Sequence, residues 1–261
     1  MTPQTAAAER SGLERRGSLR RYGDSLSPRV RLVCFPWCGA GASVYRKLAR
    51  CLPECIELLA VQLPGREERY AENRLLRMEQ VIDHVIGDIV ALRDRPLILF
   101  GHSMGALVAY EMALALKARD GREPDGLVVS GYAAPGYAKP DAPRWHTATD
   151  EAFIANLARL GGTPAVILED RQMMRMLLPV LRADYEVLET RHDKADGELS
   201  CPLLACAGDR DAAVAASAVE AWRRRSTGRC NIHWFSGDHF YLVSETQALA
   251  RCLTEWSALI P

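Results

Sequence analysis

The sequence predicts an α/β fold in which a mostly parallel central sheet carries helices on both faces. Short apolar runs, typical of strands buried on both sides, alternate with longer segments whose apolar residues recur every three or four positions. The interval 136–200 breaks the alternation, because it holds helical patterns and no convincing strand. Such alternation predicts a parallel sheet. Ligands bind at the carboxyl ends of such strands, so we expect the insert to form a helical lid there.

The predicted strands are apolar runs that end at proline or glycine. The first run ends at Pro36, the second at Pro64-Gly65 and the third at Gly101. Proline and glycine interrupt strand pairing and favour turns, so they set these limits. In chain order, the predicted strands are residues 30–35, 56–63, 97–100, 126–131, 203–207 and 230–235.

The predicted helices follow from apolar periodicity and capping residues. Met78, Val81, Val85 and Ile89 recur at intervals of three and four, which places them on one buried helix face. Ser43 suits the N-cap of an earlier helix. Outside the insert we predict helices at 43–52, 78–90, 104–117, 214–225 and from about 245, and within it at 150–160, 169–178 and 181–189.

The N-terminal segment shows no periodic pattern before the first apolar run. Residues 1–28 are rich in Ala, Arg, Ser and Gly, and such a composition buries too little apolar surface to order a chain. We therefore expect a flexible extension over residues 1–28 and one domain over residues 29–261.

Charge and hydropathy exclude several classes of protein. Thirty-three basic residues balance thirty-three acidic ones, so no net field favours nucleic acid or a membrane surface. No apolar stretch approaches the ~20 residues that span a bilayer. The arginine-rich start lacks the apolar region of a secretory signal. We therefore expect a cytoplasmic protein that binds neither nucleic acid nor membrane.

The eight cysteines are expected to be reduced thiols. The spacing of Cys34, Cys38, Cys51 and Cys55 resembles a four-thiolate zinc site. However, Cys34 lies in a predicted strand, and Cys51 and Cys55 flank a proline turn, where free cysteine acts as a small hydrophobe. We therefore expect no metal.

The strongest local signal is Gly101-His102-Ser103-Met104-Gly105, between a predicted strand and a predicted helix. This context is that of a nucleophile elbow, a sharp turn on which a serine projects its hydroxyl into a cleft as a nucleophile. The residues two before and two after must be glycine or nearly so, because strand and helix pass too close for a Cβ atom. The pattern therefore predicts Ser103 as a catalytic nucleophile.

A serine hydroxyl needs a positioned base, which in this architecture is a histidine late in the chain, preceded by an acid. His239 follows the last predicted strand, where it can reach Ser103. The other histidines lie in a helix, in a strand, in the insert or in the elbow itself: His84, His233, His146, His192 and His102. Asp209 and Asp211 both follow the fifth predicted strand and both could orient the imidazole. Loop geometry favours Asp211.

Two backbone N–H groups are needed to stabilise the oxyanion. Met104, directly after the nucleophile, supplies one, and the loop 35–42 should supply the other. Gly39 and Gly41 in this loop also resemble a dinucleotide fingerprint. Val44 replaces its third glycine, and the second predicted strand ends without the ribose-binding acid. We therefore expect no nucleotide cofactor.

Further segments resemble one known family from about residue 30 to the C-terminus. They are Phe35-Pro36 with Gly39, Leu63-Pro64-Gly65-Arg66 with Arg69, Leu160-Gly161-Gly162-Thr163-Pro164, Leu178-Pro179-Val180-Leu181-Arg182-Ala183-Asp184, Trp222 and the loop 237–240. Together with the elbow, they resemble the stand-alone type II thioesterases that accompany modular polyketide and non-ribosomal peptide synthases, within the α/β-hydrolase superfamily.

The resemblance implies an α/β-hydrolase fold with a catalytic triad of Ser103, Asp211 and His239. It places the oxyanion amides on Cys38 and Met104. The implied reaction hydrolyses acyl or aminoacyl thioesters on the phosphopantetheine arm of an acyl carrier protein or peptidyl carrier protein, which frees stalled modules. This reaction needs no cofactor and no metal.

The sequence also departs from the family pattern. Asp238 stands where the family usually has a second glycine before the catalytic histidine. Aspartate tolerates a left-handed backbone better than most residues, so we expect the loop to persist and the extra carboxylate to raise the basicity of His239. Trp37, Cys38 and Ala40 depart from the usual oxyanion loop, which affects the expected shape of the acyl chamber more than the chemistry.

Two alternatives fit the same residues: a carboxylesterase or acyltransferase on this scaffold, and a non-catalytic binding module. The apolar residues of the insert suggest a flexible lid over the acyl chain, with packing as the simpler explanation: Phe153, Leu157, Leu160, Met173, Met176 and Leu177. Five arginines are candidates to meet an acidic carrier domain, with solvated surface charge as the alternative: Arg66, Arg69, Arg159, Arg171 and Arg175.

Overall fold

The computed structural model of the protein describes residues 14–23, 25, 27–137, 143–191 and 198–260. Its strands are β1 Glu14–Arg16, β2 Leu19–Tyr22, β3 Val30–Phe35, β4 Ile56–Val61, β5 Leu97–His102, β6 Gly126–Ser130, β7 Leu203–Gly208 and β8 Cys230–Phe235. They form one sheet in the order β1-β2-β4-β3-β5-β6-β7-β8. The strands from β3 to β8 run parallel to one another. β3 lies between β4 and β5, so the strand order reverses there. In sheets of this kind the ligand crevice lies at such a point, here at the carboxyl ends of β3 and β5.

The helices lie on both faces of this sheet. They are α1 Arg46–Cys51, α2 Met78–Val90, α3 Met104–Asp120, α4 Asp150–Leu160, α5 Ala165–Glu169, α6 Arg171–Glu189, α7 Ala216–Glu220, α8 Tyr241–Ser244 and α9 Thr246–Ser257. Within the described ranges, no helix has the length and apolar character needed to cross a membrane.

Two apolar clusters cover the two faces because strand side chains alternate. In β3, Val33 and Phe35 join the cluster that α2 and α3 bury. Leu32 and Cys34 join the cluster that α1 and α9 bury. The predicted mostly parallel sheet with helices on both faces is therefore confirmed.

The insert between β6 and β7 contains the three helices α4–α6 and its own small core, formed by Phe153, Leu157, Met174, Leu178 and Leu181. The two helices predicted at 169–178 and 181–189 are one helix, α6, which continues through Pro179. Apolar packing on both sides of the proline offsets the backbone hydrogen bond that it removes. The insert segments 138–142 and 192–197, with His192, lie outside the described residues.

The expected flexible extension is wrong over residues 14–22, which form the antiparallel hairpin β1–β2. β2 pairs with the outer edge of β4 from Leu19 opposite Val61 to Tyr22 opposite Leu58. The turn is fixed to α2, because the Ser18 N–H donates to Asp88 Oδ2 at 2.7 Å. The ladder uses backbone groups, so an arginine-rich strand can pair without an apolar pattern. Residues 1–13 lie outside the described residues.

Candidate active site

Ser103 lies on a strained turn between β5 and α3. Its φ of 53° and ψ of −121° are rarely adopted by a residue with a side chain, and its N–H donates to the Ser130 carbonyl at 2.8 Å. A Cβ on Gly101 would lie 1.9 Å from the Gly105 oxygen, and one on Gly105 would lie 2.0 Å from the Phe35 oxygen. Strand, turn and helix therefore pack as closely as the sequence pattern predicts.

His239 reaches Ser103 from the loop between β8 and α8. Its Nε2 lies 3.1 Å from Ser103 Oγ, and its Nδ1 lies 2.8 Å from Asp211 Oδ2. A tautomer that carries its hydrogen on Nδ1 donates to Asp211 and accepts the hydroxyl hydrogen of Ser103 at Nε2. The structure thus brings these three predicted residues into one hydrogen-bonded line.

The two competing aspartates occupy different environments after β7. The Asp211 side chain is 1% exposed, and its Oδ1 accepts the N–H groups of Ala213 and Val214 at 2.8 and 3.2 Å. The Asp209 side chain is 48% exposed and accepts the Gly237 N–H at 2.9 Å. Asp211 is therefore the carboxylate held against the imidazole. The side chain of Asp209 instead binds the backbone of the loop 236–240, the histidine loop, which contains His239.

Asp238 does not adopt the expected left-handed backbone. The glycine before it, Gly237, takes the positive φ of 140°. Asp238 Oδ1 accepts the Phe240 N–H at 2.8 Å, which forms a local side-chain turn. This turn accounts for a carboxylate at a position where the family pattern has glycine. The predicted effect of Asp238 on the basicity of His239 stays a prediction.

The loop after β3 lies at the carboxyl end of the sheet, beside the elbow. Gly39 has a φ of 77°, and the Ala40 N–H closes a turn by donating to the Trp37 carbonyl at 3.0 Å. Cys38 lies within this turn. Met104 is the first residue of α3, so its N–H has no partner within the helix. Both predicted oxyanion residues thus lie on backbone adjoining the elbow.

Comparisons with known proteins establish the family of this chain. A family model described as a thioesterase domain matches residues 30–256. The chain belongs to the thioesterase family. It is 40% identical over 238 residues to the thioesterase PikA5 of Streptomyces venezuelae, covering 91% of this chain and 84% of that protein.

Two further relatives of this thioesterase have names that refer to biosynthetic systems. The gramicidin S biosynthesis protein GrsT of Aneurinibacillus migulanus is 39% identical over 216 residues, covering 82% of this chain and 83% of that protein. The solved structure of the type II thioesterase BorB from the borrelidin biosynthetic cluster superposes with a TM-score of 0.82 at 31% identity, covering 93% and 98% of the two chains. The expected type II thioesterase family and α/β-hydrolase fold are confirmed.

His102 is a site residue that the sequence reasoning set aside. It is fully buried, and its Nδ1 lies 2.9 Å from Ser130 Oγ, which lies 2.6 Å from the Tyr241 hydroxyl. Burial, and secondarily the nearby charge of His239, hold the pKa of His102 well below its usual range. A neutral ring therefore packs beside His239. The sequence indicated His102 only through its place in the elbow pattern. It could not predict the partners Ser130 and Tyr241, which are distant in the chain.

The candidate carrier-binding arginines of this thioesterase divide into two groups. Arg66 is buried against Asp184, and Arg69 donates to the Gln62 carbonyl and to Glu72. Burial prevents Arg66 from meeting a partner, so that expectation is wrong, whereas the half-buried Arg69 stays a candidate. Arg159, Arg171 and Arg175 are exposed on the insert.

The four cysteines considered for zinc are dispersed among packing contacts. Cys34 is buried in one face of the sheet, where Cys51 and Cys55 also pack. Cys38 packs against the other cluster and the insert. Burial, with Asp184 nearby, raises the pKa of the Cys38 thiol well above its usual value. In the described part of the chain, no group of three or more His, Cys, Asp or Glu residues is placed to hold a metal ion.

Proposed function

We propose that this thioesterase hydrolyses acyl or aminoacyl thioesters on the phosphopantetheine arm of a carrier protein, as an editing enzyme of a modular synthase. The observation that carries the proposal is the line of contacts from Asp211 through His239 to Ser103, on a strained turn at the crevice of the sheet. The names of GrsT and BorB place those relatives in biosynthetic systems, which supports the setting.

In the first half of the reaction, Ser103 Oγ attacks the thioester carbonyl carbon as its proton passes to His239 Nε2. The carbonyl oxygen becomes an oxyanion, which accepts hydrogen bonds from the amides of Cys38 and Met104. Collapse of this intermediate breaks the carbon–sulfur bond. The departing thiolate takes the proton from Nε2, and the acyl group remains on Ser103.

In the second half, a water molecule gives its proton to His239 Nε2 and attacks the acyl carbonyl. The same two amides accept the new oxyanion. Collapse breaks the bond to Ser103 Oγ, which recovers the proton from Nε2, and the free acid leaves. Asp211 accepts the Nδ1 hydrogen throughout, which holds the required tautomer and stabilises the imidazolium.

Ser103→Ala tests the proposal. We expect kcat for a hexanoyl thioester on a phosphopantetheinylated carrier protein to fall by at least about 10⁴, because no nucleophile remains. The melting temperature should stay close to that of the unchanged protein. Ser236→Ala is the matched control, because its hydroxyl is exposed in the same histidine loop, and it should retain full activity. Near-normal hydrolysis by Ser103→Ala would contradict the role of Ser103.

The substrate class is tested by comparing the same hexanoyl group on a carrier protein, on coenzyme A and on an oxygen ester. We expect the highest kcat/KM for the carrier-bound thioester. A preference for the oxygen ester would indicate a carboxylesterase. Labelling of Ser103 by a fluorophosphonate without turnover of any ester would indicate a site that retains its nucleophile for another reaction.

A further inference from the structure

A buried ion pair joins the insert to the loop that contains Cys38. Arg66, which follows β4, donates from Nη1 to Asp184 Oδ2 at 2.8 Å and from Nη2 to Asp184 Oδ1 at 2.7 Å. Asp184 lies on α6, and the two residues are 5% and 1% exposed. This is the two-pronged geometry in which arginine binds carboxylate most strongly.

The same two side chains bind the backbone of the loop. Asp184 Oδ2 accepts the Gly39 N–H at 2.7 Å, and Arg66 Nη1 donates to the Ala40 carbonyl at 3.1 Å. The Gly39 N–H belongs to the peptide unit that begins at the Cys38 carbonyl. The ion pair therefore holds the peptide directly after the amide assigned to the oxyanion hole.

Side chains near Arg66 hold the far end of the same loop. Gln62 Oε1 accepts the Ala42 N–H at 2.6 Å, while Gln62 Nε2 donates to the Arg66 carbonyl at 3.0 Å. Glu67 Oε1 accepts the Ser43 N–H at 3.3 Å, and Glu67 has a left-handed φ of 48°. The loop is thus bound along its length by the segment after β4, and Arg66 links that segment to α6.

Stability alone is a poor reason to bury such a pair. Removing two charges from water costs several kcal/mol per ion, and apolar residues of similar volume often stabilise a protein as well or better. Burial is the largest single effect on the pKa of Arg66 and lowers it, but the charge and hydrogen bonds of Asp184, with Cys38 and Glu67 nearby, together raise it. The pKa is therefore raised overall and the guanidinium stays charged. The pair instead supplies directed bonds to a loop whose backbone must point at a reacting oxygen.

We propose that Arg66 and Asp184 are positioning residues that orient the Cys38 amide and tie the oxyanion hole to helix α6. The proposal rests on the proposed function, because it takes Cys38 as an oxyanion donor. Such a donor acts only within about 2.7–3.1 Å of the oxyanion. A shift of the loop by about 1 Å therefore costs rate and leaves most substrate contacts in place. Helix α6 also packs on the loop directly, since a Cβ on Gly39 would lie 2.7 Å from Leu181 Cδ2.

The test compares Asp184→Asn and Arg66→Lys with the double variant Arg66→Met/Asp184→Leu. The substrate is a hexanoyl N-acetylcysteamine thioester, and the readouts are kcat, KM and the melting temperature. We expect kcat to fall 10- to 100-fold in all three variants, with KM changed less than threefold. The double variant carries no buried charge at these two positions, so its melting temperature should be close to that of the wild-type protein. Its kcat should still be reduced, because its side chains cannot bind Gly39 or Ala40.

Glu111→Gln is the matched control. Arg191 Nε, just after α6, donates to Glu111 Oε1 on α3 at 2.6 Å in another buried ion pair. That pair also fastens the end of the insert, but it joins it to α3 and not to the loop after β3. We expect Glu111→Gln to lower the melting temperature and leave kcat unchanged.

Two results would overturn the inference: a double variant with kcat within twofold of the unchanged protein, or an equal kcat loss in Glu111→Gln. If Asp184→Asn does not fold, the double variant decides. Failure of the proposed function would give a different result. If the wild-type protein hydrolysed no thioester and did not react with a fluorophosphonate at Ser103, both the proposed function and the positioning role of Arg66 and Asp184 would be contradicted. If the wild-type protein turned over the thioester normally and the Arg66 and Asp184 variants kept the same kcat, only the positioning role would be contradicted.

Discussion

The elbow around Ser103 and the insert helices α4–α6 show opposite kinds of packing. At the elbow, backbone lies against backbone, so that Gly101 and Gly105 leave no room for a methyl group. On the insert, Val166 and Met176 are 71% and 52% exposed. The reacting atoms are therefore fixed by contacts that cannot relax. The insert surface, in contrast, carries exposed and flexible side chains, and the lid hypothesis predicts that they repack around different acyl groups.

Gly105→Ala should produce the largest effect. The added methyl group would lie 2.0 Å from the Phe35 carbonyl oxygen, and neither backbone segment can yield without moving Ser103. We expect kcat to fall more than about 10³-fold, as when the oxyanion hole is damaged. The free energy of unfolding should fall by about 3 kcal/mol. Urea denaturation and thioester hydrolysis measure both.

Gly87→Ala is the control for this prediction. A Cβ at Gly87, in α2, meets nothing within 4 Å, so alanine should stabilise the helix by about 0.5–1 kcal/mol without changing kcat. Normal activity in Gly105→Ala would show that the elbow tolerates movement and would end the contrast with the insert.

Asp211→Asn should have the next largest effect. An amide cannot hold the required imidazole tautomer, so we expect kcat to fall by about 10⁴ while the melting temperature changes little. Asp209→Asn is the matched variant on the same loop. Its amide oxygen can still accept the Gly237 N–H, so kcat should stay within threefold. Equal losses in the two variants would contradict the assignment of Asp211.

The smallest effects should come from the insert, and they should separate its core from its surface. Phe153 is fully buried, with its ring edge-on to Tyr185, so Phe153→Ala should destabilise the protein by about 3–5 kcal/mol. Met176→Ala should change the free energy of unfolding by less than about 0.5 kcal/mol.

The activity of Met176→Ala tests the lid hypothesis. We expect kcat/KM for a decanoyl thioester relative to an acetyl thioester to fall about two- to fivefold, the equivalent of a partly buried apolar contact. If the ratio of kcat/KM for the two thioesters did not change, Met176 would have a role in surface packing alone.

The sequence predicted the parts of the molecule that follow local rules. The six parallel strands are apolar runs bounded by proline or glycine, and each lies within two residues of its predicted limits. Ser103 and His239 were identifiable because one lies in a pattern that only a tight turn requires and the other lies in a loop at the matching end of the sheet. The position in the loop already favoured Asp211 over Asp209.

The sequence could not show what depends on distant partners. Arg66 and Asp184 are 118 residues apart, and charged residues are usually solvated, so Arg66 was a candidate for partner binding when it is in fact buried. The hairpin β1–β2 was hidden for another reason. A short edge strand is held by backbone hydrogen bonds, so its arginines resemble a solvated tail.

The hairpin affects how the protein can be shortened. The family match begins at residue 30, so a recombinant fragment cut to that limit would lose β2. The outer edge of β4 would then present free N–H and C=O groups along residues 58–61, the four residues that β2 pairs with and that are buried in the full chain. Such an edge is a template for pairing with a second copy, so a trimmed fragment would self-associate and precipitate on expression.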